Sequence, residues 1–127
     1  MKNGTQSFAE EQEHQCARGY GPEHDDTHVE GEIAAGATCY AMVNVLLLKQ
    51  HTLEEARSIV LACWPFEPEG FKPSTDLQKN LRKAGGMLAS EYDRLNRLQP
   101  LPESNPLPSG LAFLQVSTSA DLSGGAR

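Results

Sequence analysis

The sequence predicts a small all-α domain, a bundle of three to four helices with an aromatic, proline-rich loop and a flexible C-terminal tail. Its 127 residues fit one domain with one core. Apolar residues recur three or four positions apart over long segments, which is the spacing of a helix face. Residues 43–48 could also form a strand, but the length and flanks of this run favour a helix.

The first predicted element is a polar helix over residues 5–19. It has only a thin apolar stripe around Phe8 and Cys16, so we expect it to dock weakly. Gly19, Gly21 and Pro22 end it.

A long second helix should follow, running from about residue 28 to residue 49. Thr27 or Asp26 offers an N-cap, and Glu30 stands where a capping box requires a glutamate. Its apolar positions are Val29, Ile33, Ala37, Tyr40, Ala41, Val45 and Leu48. Small residues at positions 34–37 would let another helix approach closely.

A shorter third helix is predicted over residues 52–63. Thr52 and Glu55 form a capping box at its start. The residues expected to point inward are Leu53, Ala56, Ile59, Val60 and Cys63.

An aromatic loop, residues 64–73, carries Trp64, Phe66 and Phe71 between prolines. Such a loop usually folds back over the core, although it could also form a lid over a ligand. We expect Trp64, the only tryptophan, to turn inward and cover the junction between the short helix and the last one.

The last helix, over residues 75–98, has the clearest pattern. Ser74–Asp76 caps it, and Gly85-Gly86 predicts either a bend or close contact with a neighbouring helix. Its apolar residues are Leu77, Leu81, Ala84, Leu88, Tyr92, Leu95 and Leu98. The domain should therefore span residues 5–98, and residues 99–127 read as a Pro/Ser/Gly-rich, disordered tail with one short apolar piece at Leu111–Val116.

The net charge of −6 argues against non-specific binding of nucleic acid. Residues 1–32 carry −6 and residues 72–98 carry +3, which indicates either two docked helices of opposite charge or an acidic metal site beside a basic phosphate-holding strip. No leader or membrane-spanning segment is visible, and three scattered cysteines do not suggest a disulfide framework, so we expect a cytoplasmic protein. Cys39 and Cys63 lie in apolar contexts typical of core residues.

A cluster of histidines and carboxylates between residues 21 and 32 is the most informative motif. His28 and Glu32 would share a helix face, His24, Asp25 and Asp26 could approach from the loop, and Glu91 could complete the set. These six residues are the candidate ligands of a divalent ion such as Mg²⁺, Mn²⁺ or Zn²⁺. The alternative is a hydrogen-bonded network that caps the helix and anchors the loop.

Candidate ligand-binding residues are Trp64, Phe66, Lys72 and Lys83. Aromatic side chains could stack on a base, and lysines could hold phosphate. The sequence contains no nucleophile motif, phosphate loop or dinucleotide fingerprint, so it offers little support for those enzyme classes.

The order of motifs resembles that of a group of small proteins encoded by tailed bacteriophages and prophages. The matching segments are Gly19–His28, Gly31–Ala34, Tyr40-Ala41, Trp64-Pro65, Lys72-Pro73, Asp76-Leu77, Lys83–Gly85 and Glu91–Leu95. The resemblance covers residues 8–97 and implies a phage origin, without an activity. A looser resemblance, in architecture only, is to all-α nucleotide pyrophosphohydrolases of the MazG type, whose Glu-x-x-Glu and Glu-x-x-Asp motifs have no clean copy here.

These observations predict a phage-derived accessory protein that acts in the host cytoplasm by binding a protein or a small ligand, without catalysis. Self-association is compatible with this function. The alternative is a divalent-metal-dependent, nucleotide phosphohydrolase-like protein.

Overall fold

A computed structural model of the chain describes residues 1–98, and the predicted all-α class is confirmed there. The helices are α1 (Gly4–Ala17), α2 (Pro22–Asp25), α3 (Glu32–Leu48), α4 (Leu53–Leu61) and α5 (Leu77–Leu98), with a 3₁₀ turn at Pro68–Gly70. No strand occurs among these residues. The predicted tail, including Leu111–Val116, lies outside the described residues.

Helices α3 and α5 form the centre of the fold and run antiparallel. Asn44, late in α3, lies beside Asn80, early in α5, because the Asn80 side-chain amide donates to Asn44 Oδ1 at 2.9 Å. At the other end of the pair, Gly36 lies against Met87, and a Cβ atom at Gly36 would stand only 2.6 Å from the Met87 methyl group. The missing side chain at Gly36 therefore lets the two helices approach closely.

The core lies on one side of this pair, under α4 and the aromatic loop. Its buried members are Ala37, Cys39, Tyr40, Val43, Ala56, Val60, Phe71 and Ala84. Phe71 is the largest fully buried side chain, with 1% of its surface exposed. Arg57 of α4 fastens the loop by donating to the carbonyls of Phe71 and Pro68, so α4 and the loop cover α3 as one unit.

The polar helix α1 packs across α5 at the glycine pair. A Cβ atom at Gly85 would overlap the ring of Phe8, and one at Gly86 would meet Glu11 and the backbone of Gln12. Gly85-Gly86 thus marks close helix contact, which was one of its two predicted roles. Arg82 lies 3.7 Å from Glu11, in agreement with the predicted docking of oppositely charged segments.

Two predicted helix starts are corrected. Helix α3 begins at Glu32, because Gly31 adopts a left-handed conformation at φ 85° and no side chain caps the helix. Neither Thr27 nor Asp26 serves as its N-cap; residues 22–25 instead form the separate short helix α2. In α5, Asp76 Oδ1 accepts from the backbone N–H groups of Gln78 and Lys79, and the helix begins at Leu77 rather than at residue 75.

The capping box of α4 is confirmed, since Thr52 and Glu55 exchange side-chain and backbone hydrogen bonds. The inward positions of that helix are only partly confirmed. Ala56 and Val60 are buried, whereas Ile59 is 51% exposed and Cys63 is exposed.

The apolar stripe of α5 departs most from expectation. Of its members, only Ala84 is buried, and Leu81, Leu88, Tyr92 and Leu98 are exposed. The residues of α5 that are buried are mostly small or polar, because α5 turns its glycines toward α1 and its polar groups toward α3. Within residues 1–98, no helix combines the length and apolar character needed to cross a bilayer.

Candidate functional site

The predicted histidine and carboxylate cluster forms two neighbouring pairs. His24 Nδ1 lies 3.1 Å from Asp25 Oδ1, and His28 Nδ1 lies 3.6 Å from Glu32 Oε2. The two imidazole rings are adjacent, with centroids 4.7 Å apart. The predicted contact between His28 and Glu32 is therefore present, although His28 precedes the helix and does not lie on it.

The carboxylate of Glu32 is held mainly by backbone groups at the start of α3. The Glu30 N–H donates to Glu32 Oε1 at 2.7 Å. Hydrogen bonds from the Glu32 and Glu30 backbones lower the pKa of Glu32 below its ordinary value, and His28 adds a smaller effect in the same direction. The carboxylate is thus kept charged where the helix dipole is positive.

Arg94 is the residue of this region that the sequence analysis missed. Its side chain is almost completely buried and forms two hydrogen bonds with Glu91, at 2.9 and 3.1 Å. These bonds raise the pKa of Arg94, and the negative charges of Glu91, Asp26 and Glu32 add to the effect against the opposing cost of burial. A guanidinium group therefore compensates three of the six carboxylate and histidine residues predicted as metal ligands.

The predicted metal site is not assembled as a whole. Among residues 1–98, no three His, Cys, Asp or Glu side chains are arranged to hold one ion. Glu91 forms its ion pair with Arg94, while Asp25 and Glu32 each lie beside the Nδ1 atom of a histidine. The hydrogen-bonded network that was the alternative interpretation agrees better with this geometry.

The same histidines connect with the aromatic loop through a chain of ring contacts. The ring centroids of Tyr20 and His24 are 5.0 Å apart, and those of His28 and Phe66 are 5.1 Å apart. Phe66 then contacts Trp64 at 5.3 Å, and Trp64 stacks on Phe71 at 4.7 Å. The candidate ligand-binding aromatics are thus packed against the core and against residues 21–31, the segment with His24 and His28, which we call the histidine loop.

Trp64 is partly buried and packs on the core, as expected, with its indole N–H donating to the Glu67 carbonyl. Its ring neighbours are Tyr40, Phe66 and Phe71, so it covers α3 more than the predicted junction with α5.

The two candidate lysines are in contact, but the contact joins the side chain of Lys83 to the backbone of Lys72. Lys83 Nζ donates to the Lys72 carbonyl at 2.9 Å and lies 5.3 Å from the centroid of the Tyr40 ring. Burial, with help from the charge of Lys79, lowers the pKa of Lys83. Lys83 therefore fastens the end of the aromatic loop to α5, and only the side chain of Lys72 extends freely into solvent.

The second candidate site is an apolar surface, which we call the open face. It consists of residues on α3 and α5 that point away from α4 and the aromatic loop. They are Ala34, Ala41, Val45 and Leu48 of α3 and Leu77, Leu81, Leu88, Tyr92 and Leu95 of α5. Leu48 is 67% exposed, Leu88 50% and Tyr92 68%.

The open face is continuous because of helix geometry. With about 100° between successive residues, the exposed positions of α3 lie on the side next to those of α5 when the helices run antiparallel. No position in it is charged, and α3 has no charged residue between Ile33 and Leu48. Single exposed apolar residues are ordinary on protein surfaces, but a continuous uncharged patch on two helices marks an interaction site.

A third feature, a shallow depression of about 600 Å³, lies between α1 and α5. Its lining is charged, and consists of Glu10, Glu11, Glu13, His14 and Arg82. None of the predicted site residues borders it.

No protein-family model, no curated protein and no solved structure matches the chain.

Proposed function

We propose that this chain is a non-catalytic accessory protein of phage origin that acts in the host cytoplasm by binding another polypeptide through the open face. The observation that carries the proposal is the exposure of the main apolar stripe of α5 beside an uncharged side of α3. Burying such a surface against a partner is favourable by about 25 cal/mol for each Å² removed from water. Binding therefore has a stronger physical basis here than catalysis.

The histidine loop supports the same proposal, because its carboxylates are already engaged by other side chains. Arg94 compensates the charges of Glu91, Asp26 and Glu32, and a carboxylate engaged in this way is less available to bind an ion or to accept a proton from water. Its role is to anchor the segment between α1 and α3.

A photo-crosslinking amino acid placed at Leu88 tests the proposal. Irradiation of the full chain in a lysate of the host bacterium should attach a polypeptide at this position. The matched control carries the same group at Ile59 of α4, which is equally exposed but lies away from the open face. Equal yields at both positions, or turnover of nucleoside triphosphates by the purified protein with Mg²⁺ or Mn²⁺, would refute the proposal.

Divalent metal binding, as part of a nucleotide phosphohydrolase-like activity, is the second candidate, and one observation favours it. Both His24 and His28 place a carboxylate next to Nδ1, and metal-binding histidines commonly use such a carboxylate to orient the ring while Nε2 binds the ion. Titration with Zn²⁺ or Mn²⁺ should then shift the imidazole NMR signals of both histidines. Identical spectra with and without the ion would eliminate this candidate.

A further inference from the structure

We infer that the polypeptide that covers the open face is a second copy of this chain, with α3 and α5 of each copy packed against α3 and α5 of the other about a two-fold axis. This inference rests on the proposed function and names the partner at the same site. Three properties of the face support it: its area, its relief and its charge.

The area of the open face suits a dimer. The exposed fractions of its residues correspond to on the order of 600 Å² of apolar surface in each copy. Two such faces would remove about 1,200 Å² from water before any polar rim is counted, which reaches the range of stable, specific interfaces. The strongly apolar character is typical of homodimer interfaces rather than of transient contacts.

The relief of the open face is complementary to itself. The first half of α3 carries the small residues Ala34 and Ala41 on this face, and the second half of α5 carries Leu88 and Tyr92. A two-fold axis that runs along the helices places α5 of one copy over α3 of the other, so that Leu88 and Tyr92 lie over Ala34 and Ala41. Such a fit allows the close packing that cores and stable interfaces share.

The charge distribution also agrees with a symmetric pair. A two-fold axis brings each part of a surface against itself or its neighbours, so charges near the axis would repel their own copies. The open face has none.

Sedimentation of the full chain over a wide range of concentrations tests the inference. We expect a reversible monomer–dimer equilibrium. Leu88→Glu and, separately, Ala41→Glu should raise the dissociation constant of the dimer at least about tenfold, since each would bury an unpaired charge. Tyr92→Glu is a further variant, at an exposed position that does not contribute to the core.

Ile59→Glu is the control, because Ile59 is exposed to the same degree as Leu88 but lies on α4. It should leave the dissociation constant unchanged, and circular dichroism should show the same helix content in all variants. A monomer at every concentration, or a dimer that tolerates all three open-face substitutions, would overturn the inference.

Two outcomes separate this inference from the proposed function. A monomeric protein that is crosslinked from Leu88 to a different polypeptide would refute self-association and leave the proposed function intact. A monomer that forms no crosslink from Leu88, and whose melting temperature falls much more with Leu88→Glu than with Ile59→Glu, would mean that the chain covers this face with its own residues, and both proposals would fail.

Discussion

The two sides of the α3–α5 pair have a similar supply of apolar residues but different surroundings. On the covered side, α4 and the aromatic loop enclose Tyr40, Val43 and Phe71. On the open face, Leu48, Leu88 and Tyr92 keep half or more of their surface exposed. Hydrophobicity alone therefore does not decide what becomes core; a covering element must also be available, and α4 and the loop reach only one side of the pair.

The largest expected effect contrasts one residue from each side. Phe71→Ala should lower the free energy of unfolding by about 3–5 kcal/mol, because it empties the centre of the covered side. Leu88→Ala should cost less than about 1 kcal/mol when measured at concentrations where the protein is monomeric, since half of that side chain is already in water. Urea unfolding of both variants provides the comparison. Similar losses of unfolding free energy would show that Leu88 is covered by another part of the chain.

A second prediction concerns the buried ion pair between Arg94 and Glu91 of α5. Arg94→Met should cost on the order of 3 kcal/mol, because it leaves the carboxylate of Glu91 without its partner in a poorly solvated place. Removing both groups in Arg94→Met/Glu91→Leu should restore much of that loss. Arg82→Met is the control, because its contact with Glu11 is longer and more exposed and should contribute less than about 1 kcal/mol. Thermal unfolding of the three variants would reveal whether the double variant fails to recover, which would contradict this account.

A third prediction concerns the edge of the open face, where α1 crosses α5. Gly85→Ala should cost about 1–3 kcal/mol, because the added methyl group would overlap the ring of Phe8. The effect should be local and appear as faster amide hydrogen exchange in residues 4–17. Gly4→Ala adds the same methyl group where nothing lies within 4 Å, so its exchange should match that of the unmodified chain. Uniformly faster exchange throughout the domain would mean that α1 is an integral part of the core.

The smallest expected effect concerns the cap of α4, the helix that covers the core. The Thr52 N–H donates to the Glu55 carboxylate, and this bond is the main reason that the pKa of Glu55 lies below its ordinary value of 4.5. The folded state thus favours the charged form, so the stabilisation is complete above pH 4.5 and is lost as the pH falls through the lower folded-state value. The difference in stability between the natural chain and Glu55→Gln, measured by thermal unfolding, should shrink in acid. A constant difference across this range would contradict the role of the charge.

Local signals in the sequence predicted the helices well. The Thr52 capping box, the breaks at Gly19 and Pro22 and the pattern of α5 each depend on neighbouring residues, and each is present. The predicted start of α3 was wrong because Asp26, Thr27 and Glu30 match a capping pattern, whereas the helix begins after a left-handed turn at Gly31. A lone glycine after a glutamate gave no warning of that turn.

Long-range arrangement was harder to predict. Periodicity identified the leucine stripe of α5 but could not indicate whether another element covers it. Likewise, the spacing of His28 and Glu32 predicted their contact, whereas the role of Arg94 required knowing that α5 passes beside the start of α3. A sign was available in the sequence, because Arg94 follows Glu91 by one helical turn, but this pattern is common on solvent-exposed helices.

The amide pair of Asn44 and Asn80 has a consequence for how strictly the fold is defined. Asn80 is fully buried, and besides contacting Asn44 it bonds to Ser74 through both its oxygen and its nitrogen, while Asn44 donates to the Leu77 carbonyl. A slip of α5 along α3 by one turn would strand these amides among apolar groups, whereas leucines would slide with little penalty. The pair thus fixes the alignment of α5 along α3. Replacing both asparagines by leucine should yield a chain that keeps its helices but samples several alignments of them.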